Sequence, residues 1–129
     1  MKYLLDTHVL LWAVNEPSRL PQSVQALIED SSNEIIFSAA SIWEVVIKNG
    51  LGRDDFYVDP RILRRTLLDH DYQELLIKSE HCLAVSDLPL HHKDPFDRIL
   101  IAQACVERIC LLTNDHLITQ YPGPIKPII

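Results

Sequence analysis

The sequence predicts an α/β fold with three layers, in which a mostly parallel sheet lies between two layers of helices. Two observations lead to this prediction. Short apolar runs of strand length alternate along the chain with segments of helical periodicity. Several of these runs, such as Ile35-Ile36-Phe37, are apolar at successive positions, which is typical of a strand buried on both faces. Because the sequence contains no internal repeat, low-complexity segment or long linker, residues 1–129 are predicted to form a single domain.

The first half of the chain is predicted to contain two strands and three helices. In chain order these are a strand at residues 2–5, a helix at 9–14, a helix from 21 to about 31–33, a strand at 35–37 and a helix at 38–49. Pro17 follows the first helix and Pro21 opens the second, since proline is well tolerated only in the first helical turn. Ser38 can cap the third helix, and Gly50 and Gly52 supply its end.

The second half continues the alternation of helices and strands. The predicted elements are a helix at residues 60–68, a strand at 74–77, a short helix at 80–85, a helix at 95–106, a strand at 109–113 and a last strand at 125–129. Pro127 weakens the last strand because proline cannot donate a hydrogen bond to its neighbour. Helices between successive strands favour parallel pairing, since parallel strands need long crossover connections.

Composition is that of an ordinary globular protein and argues against several functional classes. A net charge of −6 and a pI near 5.4 disfavour contact with phosphates, so nucleic-acid binding would have to come from local chemistry. The three cysteines form no C-x-x-C pair, which favours reduced thiols and a cytoplasmic protein. We expect no membrane contact, because no apolar run approaches the roughly 18 residues of a membrane span and no signal peptide is recognised.

Four acidic residues are predicted to meet at one edge of the sheet. Asp6 follows the first strand, and Asp115 follows the strand at 109–113. Glu44 lies in the helix after the second strand, and Asp97 lies in the first turn of a later helix. The carboxyl ends of parallel strands share one edge, which is where such sheets bind ligands. Because clustered carboxylates repel one another, we predict that a hard cation such as Mg²⁺ or Mn²⁺ lies among them.

Each of these acids also has a purely structural interpretation. Asp94, followed by Pro95, can cap a helix, and Asp97 then lies where a negative charge suits the helix dipole. The structural roles open to the remaining acids and their neighbours are an N-cap at Asp6, Asn114 or Asp115, a capping box between Ser41 and Glu44, and an exposed ion pair between Glu44 and Lys48. Taken singly, none of the acids requires a metal.

Two adjacent histidines precede the helix that carries Asp97. His91 and His92 are neighbours in sequence, so their side chains diverge on any regular element, and no H-E-x-x-H motif or cysteine pair accompanies them. We therefore predict that neither is a metal ligand. Both are expected to lie in a loop, either beside a substrate groove or simply exposed.

Four stretches of the sequence resemble a known family. They are LLDTHVLLW, FSAASIWEVVIKNGLGR, LHHKDPFDRILIAQA and LLTND, in this order and spacing. Together they resemble PIN domains, specifically the VapC-type toxins of bacterial and archaeal toxin–antitoxin pairs, over nearly the whole chain. The resemblance implies a parallel sheet flanked by helices and a metal-dependent ribonuclease. It places the catalytic, metal-binding quartet on Asp6, Glu44, Asp97 and Asp115.

The resemblance also implies a mechanism and partners. One or two Mg²⁺ or Mn²⁺ ions held by the quartet would activate water for attack on RNA, leaving 5′-phosphate and 3′-hydroxyl ends. The residues expected to orient water or ligands are Thr7, Ser38, Asn114 and Asp94. The residues expected to contact the RNA are Lys48, Arg53 and Arg98. The implied protein partners are a second copy of the chain and a cognate antitoxin that covers the groove.

Two assignments of surface residues and two rival functions stay open at this point. Arg61, Arg64 and Arg65 are candidate RNA contacts, although a solvated helix face is the favoured interpretation. Trp12 and Trp43 are either contacts for a protein partner or ordinary core aromatics. Instead of a ribonuclease, the chain could be a Mg²⁺-dependent enzyme that hydrolyses DNA or a small phosphate ester, or a non-catalytic module that binds RNA or an antitoxin.

Overall fold

A five-stranded parallel sheet forms the centre of the computed structural model, which describes residues 1–52 and 57–128. The strands are β1 (Lys2–Leu5), β2 (Glu34–Ser38), β3 (Gln73–Leu75), β4 (Cys110–Thr113) and β5 (Ile125–Pro127). Their order across the sheet is β3-β2-β1-β4-β5, and each of these neighbouring pairs is parallel. The carboxyl ends of the five strands therefore lie on one edge, with β1 at the centre and β4 beside it.

Helices connect the strands and cover both faces of the sheet. They are α1 (Thr7–Asn15), α2 (Gln22–Glu29), α3 (Ala39–Gly50), α4 (Pro60–Asp69), α5 (Ser79–Val85), α6 (Pro95–Glu107) and α7 (His116–Thr119). A single turn of 3₁₀ helix, Pro17–Arg19, lies between α1 and α2. None of the described helices is long and apolar enough to cross a membrane.

Two hydrophobic cores, one on each face, confirm the predicted three-layer architecture. Along β1, Tyr3 and Leu5 belong to one core and Leu4 to the other, as the two-residue period of a strand requires. The helices α1, α2 and α4 pack into the first core. The helices α6 and α7 pack into the second. The sheet, predicted to be mostly parallel, is parallel at every described strand pair.

Most predicted elements are present, and local hydrogen bonds explain their shifted ends. Helix α1 begins two residues earlier than predicted because Oδ1 of Asp6 accepts the backbone N–H of Val9 at 2.9 Å and caps the helix. Helix α2 stops earlier because Asp30 accepts hydrogen bonds from both the backbone N–H and the hydroxyl of Ser32, which form a turn. Strand β3 begins and ends earlier than the predicted 74–77.

One prediction about a helix start is wrong, and one short helix is missing from the predicted elements. Ser41 and Glu44 do not form a capping box, because α3 has already begun after Ser38, whose Oγ accepts the backbone N–H of Ala40 at 3.0 Å. The N-cap considered at Asp115 is confirmed, but α7, the short helix that it caps, was not among the predicted helices. Its four residues are too few to show helical periodicity in the sequence.

The signals that end α3 and β5 agree with the structure. Helix α3 ends at Gly50, and Gly52 has a φ of 69°, a left-handed conformation that glycine adopts without a steric penalty. Strand β5 ends at Pro127 on the edge of the sheet, where a residue without an N–H is tolerated. The predicted end of this strand, Ile129, lies outside the described residues.

Candidate metal centre

The first acid of the site is buried where β1 meets α1. Asp6 is 3% exposed, and its Oδ1 accepts the backbone N–H of Val9. Its Oδ2 accepts a hydrogen bond from the hydroxyl of Thr113, at the end of β4. Burial raises the pKa of Asp6, and the hydrogen bonds from Thr113 and Val9 oppose this only in part. Asp6 is therefore both the cap of α1 and a buried acid at the carboxyl edge.

Thr113 is a site residue that the sequence analysis missed. The register of the sheet pairs Leu5 with Leu112, so Asp6 and Thr113 come next on neighbouring strands. The hydroxyl of Thr113 donates to Asp6 and accepts the backbone N–H of Asp115 at 3.0 Å. One hydroxyl thus fixes two of the acids relative to each other. Its position at the end of a strand beside β1 is the signal that would have found it.

Asp115 caps α7 and faces the same edge. Its Oδ1 accepts the backbone N–H of Leu117 at 2.8 Å, and its Oδ2 lies 3.4 Å from Nε2 of His92. The negative charge of Asp115 contributes to the raised pKa of Asp6, as expected of neighbouring carboxylates. Asp115 is the more exposed of the two and lies at the rim of the cluster.

Glu44 is buried on α3 with one oxygen paired and the other not. Its side chain is 3% exposed, and Oε2 lies 2.6 Å from Nζ of Lys48. The predicted ion pair is present, but its Glu44 end is buried while the Lys48 side chain is 30% exposed. Among the described residues, no donor forms a hydrogen bond with Oε1. A buried polar atom without a partner costs about 1–3 kcal/mol, and more when it is charged, so this position favours additional positive charge.

Asp94 and Asp97 have different roles at the start of α6. Oδ1 of Asp94 accepts the backbone N–H groups of Phe96 at 2.8 Å and Asp97 at 3.3 Å, so the predicted N-cap is confirmed. The carboxyl of Asp97 enters the acidic cluster instead. Burial raises the pKa of Asp97 to about 7, and the negative charges of Asp94 and Glu44 act in the same direction. A nearby cation would oppose these effects and favour the ionised carboxylate.

His92 lies among these carboxylates, whereas His91 is exposed. Nε2 of His92 is 2.7 Å from Oδ2 of Asp97 and 3.4 Å from Oδ2 of Asp115. The ring of His91 instead packs edge-on against Tyr121, with 5.1 Å between centroids. The two side chains diverge as predicted, but this divergence directs one of them into the cluster. Both histidines lie in a loop as predicted, and the prediction that neither is a metal ligand stays a prediction.

The loop that carries His92 is held in place by other parts of the chain. The backbone N–H of His92 donates to the hydroxyl of Tyr121 at 2.8 Å. The guanidinium of Arg98 donates to that hydroxyl and to the carbonyls of Val85 and Pro89, each at 3.1 Å. These bonds give Arg98 a structural role in the free protein. Its predicted contact with RNA stays a prediction.

The remaining predicted site residues lie around the same edge. The hydroxyl of Thr7 donates to Ser41 at 2.9 Å, which ties α1 to α3. Ser38 donates to Oε1 of Gln103 at 2.6 Å while it caps α3, so it holds the start of the helix that carries Glu44. Asn114 is half-buried between β4 and α7. The first two act through helix placement, since their hydroxyls bond to groups other than the site carboxylates.

The basic residues predicted to contact RNA lie in different parts of the chain. Arg53 lies outside the described residues. On α4, Arg61, Arg64 and Arg65 are all exposed, and Arg64 lies 3.0 Å from a carboxylate oxygen of Glu74. This arrangement supports the solvated-face interpretation of the α4 cluster.

The two tryptophans differ in exposure. Trp43 is 56% exposed on α3, so the interpretation as a core aromatic is wrong for this residue. Trp12 is half-buried against the first core, with the guanidinium of Arg19 at 4.7 Å from the ring centroid. Only Trp43 therefore presents most of its surface to a possible partner.

A second group of metal-ligand residue types consists of Glu80, His81 and Glu107, and its histidine is already satisfied by hydrogen bonds. Nδ1 of the fully buried His81 accepts the backbone N–H of Lys78 at 3.0 Å, and Nε2 donates to Glu107 at 2.7 Å. This hydrogen bond lowers the pKa of Glu107. Because both ring nitrogens are used, we assign this group a structural role.

The cluster at the carboxyl edge fits a divalent cation by its charge and donor atoms. Its oxygens come from Asp6, Glu44, Asp97 and Asp115, with Nε2 of His92 beside the last two. Carboxylates are the ligands that Mg²⁺ and Mn²⁺ favour. The unpartnered oxygen of Glu44 and the raised pKa of Asp97 both indicate that positive charge is lacking. Such a centre suits hydrolysis of phosphate esters.

Comparison with known families supplies the deciding observation. A family model described as PIN domain matches residues 3–124 of the 129 residues. The chain belongs to the PIN domain family. The match spans all the elements that bring the acids of this PIN domain together. A search of curated proteins found no relative.

Solved structures of low sequence identity share the fold of this PIN domain. One is VapBC2 from Rickettsia felis bound to a DNA fragment from its promoter, with 15% identity, 98% of each chain covered and a TM-score of 0.70. DNA-bound VapBC from Salmonella typhimurium has 12% identity, covers 100% of this chain and 99% of the other, and gives a TM-score of 0.71. VapBC-1 from nontypeable Haemophilus influenzae has 19% identity, 98% of each chain covered and a TM-score of 0.63.

Proposed function

We propose that this PIN domain is a metal-dependent endoribonuclease and the toxin of a VapC-type toxin–antitoxin pair. The observation that carries the proposal is the acidic cluster, in which Glu44 keeps an unpartnered oxygen among the described residues and burial raises the pKa of Asp97 to about 7. The family match supports a nuclease, and the similar folds found in VapBC complexes support the toxin assignment.

The proposed cofactor is Mg²⁺ or Mn²⁺, with one or two ions per site. We assign Asp6 and Asp97 as direct ligands, Asp115 as a ligand of the same or a second ion, and Glu44 as a ligand that binds directly or through water. The bound ion would supply Lewis-acid activation of water and would offset charge at the phosphate. Asp6 and Glu44 favour this assignment because both are buried carboxylates that a cation would stabilise.

The protein's own groups orient the reaction. Thr113 holds Asp6, and Asp94 holds the turn that carries Asp97. The proposed supporting residues are Thr7, Ser38, Asn114 and Asp94. The proposed contacts to the RNA backbone are Lys48, Arg53 and Arg98. A water oxygen attacks phosphorus, the bond to the 3′ oxygen breaks and that oxygen takes a proton, so the products carry 5′-phosphate and 3′-hydroxyl ends.

An exposed apolar surface supports a protein partner, which we propose to be an antitoxin. Trp43 and Val46 are exposed on α3, and Leu51 is exposed directly after it. A groove of about 440 Å³ lies next to them, between α3 and α4, and includes Ile42 and Pro60. Exposed apolar side chains beside a groove are typical of protein–protein contacts. We also propose a homodimer and a cytoplasmic location, the latter in keeping with three free cysteines.

A cleavage panel tests the proposal. The purified protein is incubated with RNA, DNA and nucleotide esters, with Mg²⁺, Mn²⁺ or EDTA. We expect cleavage of RNA with either ion and none with EDTA. Asp6→Asn should lose this activity and the associated inhibition of growth, whereas Asp87→Asn, which changes an exposed acid, should keep both.

Different results would point to a different function. Cleavage of DNA or nucleotide esters instead of RNA would assign a different hydrolase. Growth inhibition that survives Asp6→Asn would indicate a non-catalytic module. If the small protein encoded beside this one fails to relieve growth inhibition on co-expression, the antitoxin assignment is wrong while the nuclease assignment stands.

A further inference from the structure

We infer that His92 is a nitrogen ligand of the acidic cation site and makes the site prefer Mn²⁺ or another first-row transition ion over Mg²⁺. This inference rests on the proposed metal-dependent function. It adds a fifth residue to the acidic quartet, and it concerns which ion the site selects.

The positions of the ligand atoms carry the inference. Nε2 of His92 lies 2.7 Å from Oδ2 of Asp97 and 3.4 Å from Oδ2 of Asp115, and one ligand atom from each residue lies within 4.8 Å of the others. Two adjacent ligands at about 2.1 Å from an octahedral ion lie about 3.0 Å apart. The observed separations fall on either side of this value. Two of the three separations are therefore within about half an ångström of the spacing that one shared ion requires, and the third is within 4.8 Å.

The hydrogen bonding of His92 leaves Nε2 free for a ligand. Although 2.7 Å is hydrogen-bond distance, the pair with Asp97 lacks hydrogen-bond geometry, and Nε2 is a buried atom without a hydrogen-bond partner among the described residues. Coordination by Nε2 requires the proton to be on Nδ1. In this structure Nδ1 accepts a long hydrogen bond from the backbone N–H of Asp94 at 3.4 Å, so coordination by Nε2 moves the ring proton to Nδ1 and breaks this weak bond.

Glu44 gives independent support for a cation at this position. Its side chain is 3% exposed, its Oε1 has no partner among the described residues, and its charge acts on Asp97. The buried oxygen and the buried nitrogen therefore lack partners on the same side of the protein, around the carboxyl of Asp97. A cation bound by His92, Asp97 and Asp115 would give Nε2 a partner directly, and its charge would stabilise the nearby carboxylate of Glu44.

Specific hydrogen bonds from other parts of the chain fix the position of His92. Tyr121 accepts the backbone N–H of His92, and Arg98 ties Tyr121 to the carbonyls of the same loop. Ligands of metal sites are commonly held by such outer hydrogen bonds. Imidazole nitrogen is a softer donor than a carboxylate, so its presence shifts preference from Mg²⁺ towards transition ions.

Pulsed EPR of the Mn²⁺-loaded protein tests this inference without relying on activity. The wild type should show nitrogen modulation from a coordinated imidazole, and labelling with ¹⁵N-histidine should change its frequencies. His92→Gln should lose the modulation, while His91→Gln, the exposed neighbour, should keep it. Competition calorimetry should show that His92→Gln binds Mn²⁺ at least roughly tenfold more weakly, the lower limit for loss of an outer-shell partner, with a smaller loss for Mg²⁺.

The outcomes separate this inference from the proposed function. Wild type that binds Mn²⁺ at the acidic cluster through oxygen alone overturns the role of His92 and leaves the nuclease proposal intact. Wild type that binds no Mn²⁺ overturns both. If circular dichroism shows that His92→Gln is unfolded, His8→Gln and His116→Gln decide the matter, since these are the other histidines next to site acids. Modulation kept in both variants supports His92, and its loss in either one contradicts the assignment.

Discussion

Replacing Asp97 by asparagine should stabilise the metal-free protein at alkaline pH. The pKa of Asp97 is about 7 in the folded protein against 3.8 for an ordinary aspartate, mainly because the carboxyl is buried. Between these values the folded state keeps a proton that the unfolded state has lost, so the free energy of unfolding falls as pH rises from about 4 to 7. Asparagine cannot ionise, so the free energy of unfolding of Asp97→Asn should not fall over this pH range for the same reason.

The size of the effect follows from the shift. A difference of about three pKa units, at about 1.4 kcal/mol per unit, sets a ceiling of about 4 kcal/mol. Because the carboxyl is partly exposed to screening solvent, we expect about 1–2 kcal/mol. The advantage of Asp97→Asn over wild type should be present at pH 8 and nearly absent at pH 4.

Urea denaturation in EDTA at pH 4 and pH 8 measures this difference. Asp87→Asn, which changes an exposed acid, serves as the control and should show no gain that depends on pH. An Asp97→Asn advantage that is equal at both pH values would refute the reasoning. So would a variant that is less stable than wild type at pH 8 without metal.

Three further substitutions test the supports of the site. Thr113→Val removes the donor to Asp6 and should weaken Mn²⁺ binding by roughly 10–100-fold in calorimetry, while Thr113→Ser should bind nearly as well as wild type. Arg98→Lys loses the planar set of donors and should speed amide exchange at His92; unchanged exchange would contradict this role. Gly123→Ala places a Cβ 2.8 Å from Cys105 Sγ at a φ of 135°, so urea denaturation should show a loss of about 1–3 kcal/mol; wild-type stability would count against it.

The parts of the site that the sequence predicted are set by local signals. Asp6 and Asp115 end neighbouring strands, and Asp94 caps α6 so that Asp97 follows within its first turn. Parallel pairing brings these positions to one edge whatever the details of packing. The helices and strands were likewise visible in local periodicity and caps, apart from α7, which is a single turn.

The parts that the sequence did not predict depend on contacts between distant segments. His92 enters the site because Tyr121, 29 residues away, holds its backbone, and no local pattern encodes that contact. The role of Thr113 requires the register between β1 and β4. From the sequence, the positive charge of Arg98 predicts a contact with RNA. In the fold, its guanidinium donates hydrogen bonds to the carbonyls of Pro89 and Val85.

Anomalous diffraction from a crystal grown with Mn²⁺ tests the central claim most directly. The account predicts a peak within about 2.5 Å of carboxylate oxygens of Asp97 and Asp115, a distance that allows for direct coordination. The peak should be absent in crystals of Asp6→Asn combined with Asp97→Asn. A peak at Glu80, His81 and Glu107 instead, or no peak in crystals of a protein that still cleaves RNA, would contradict the account.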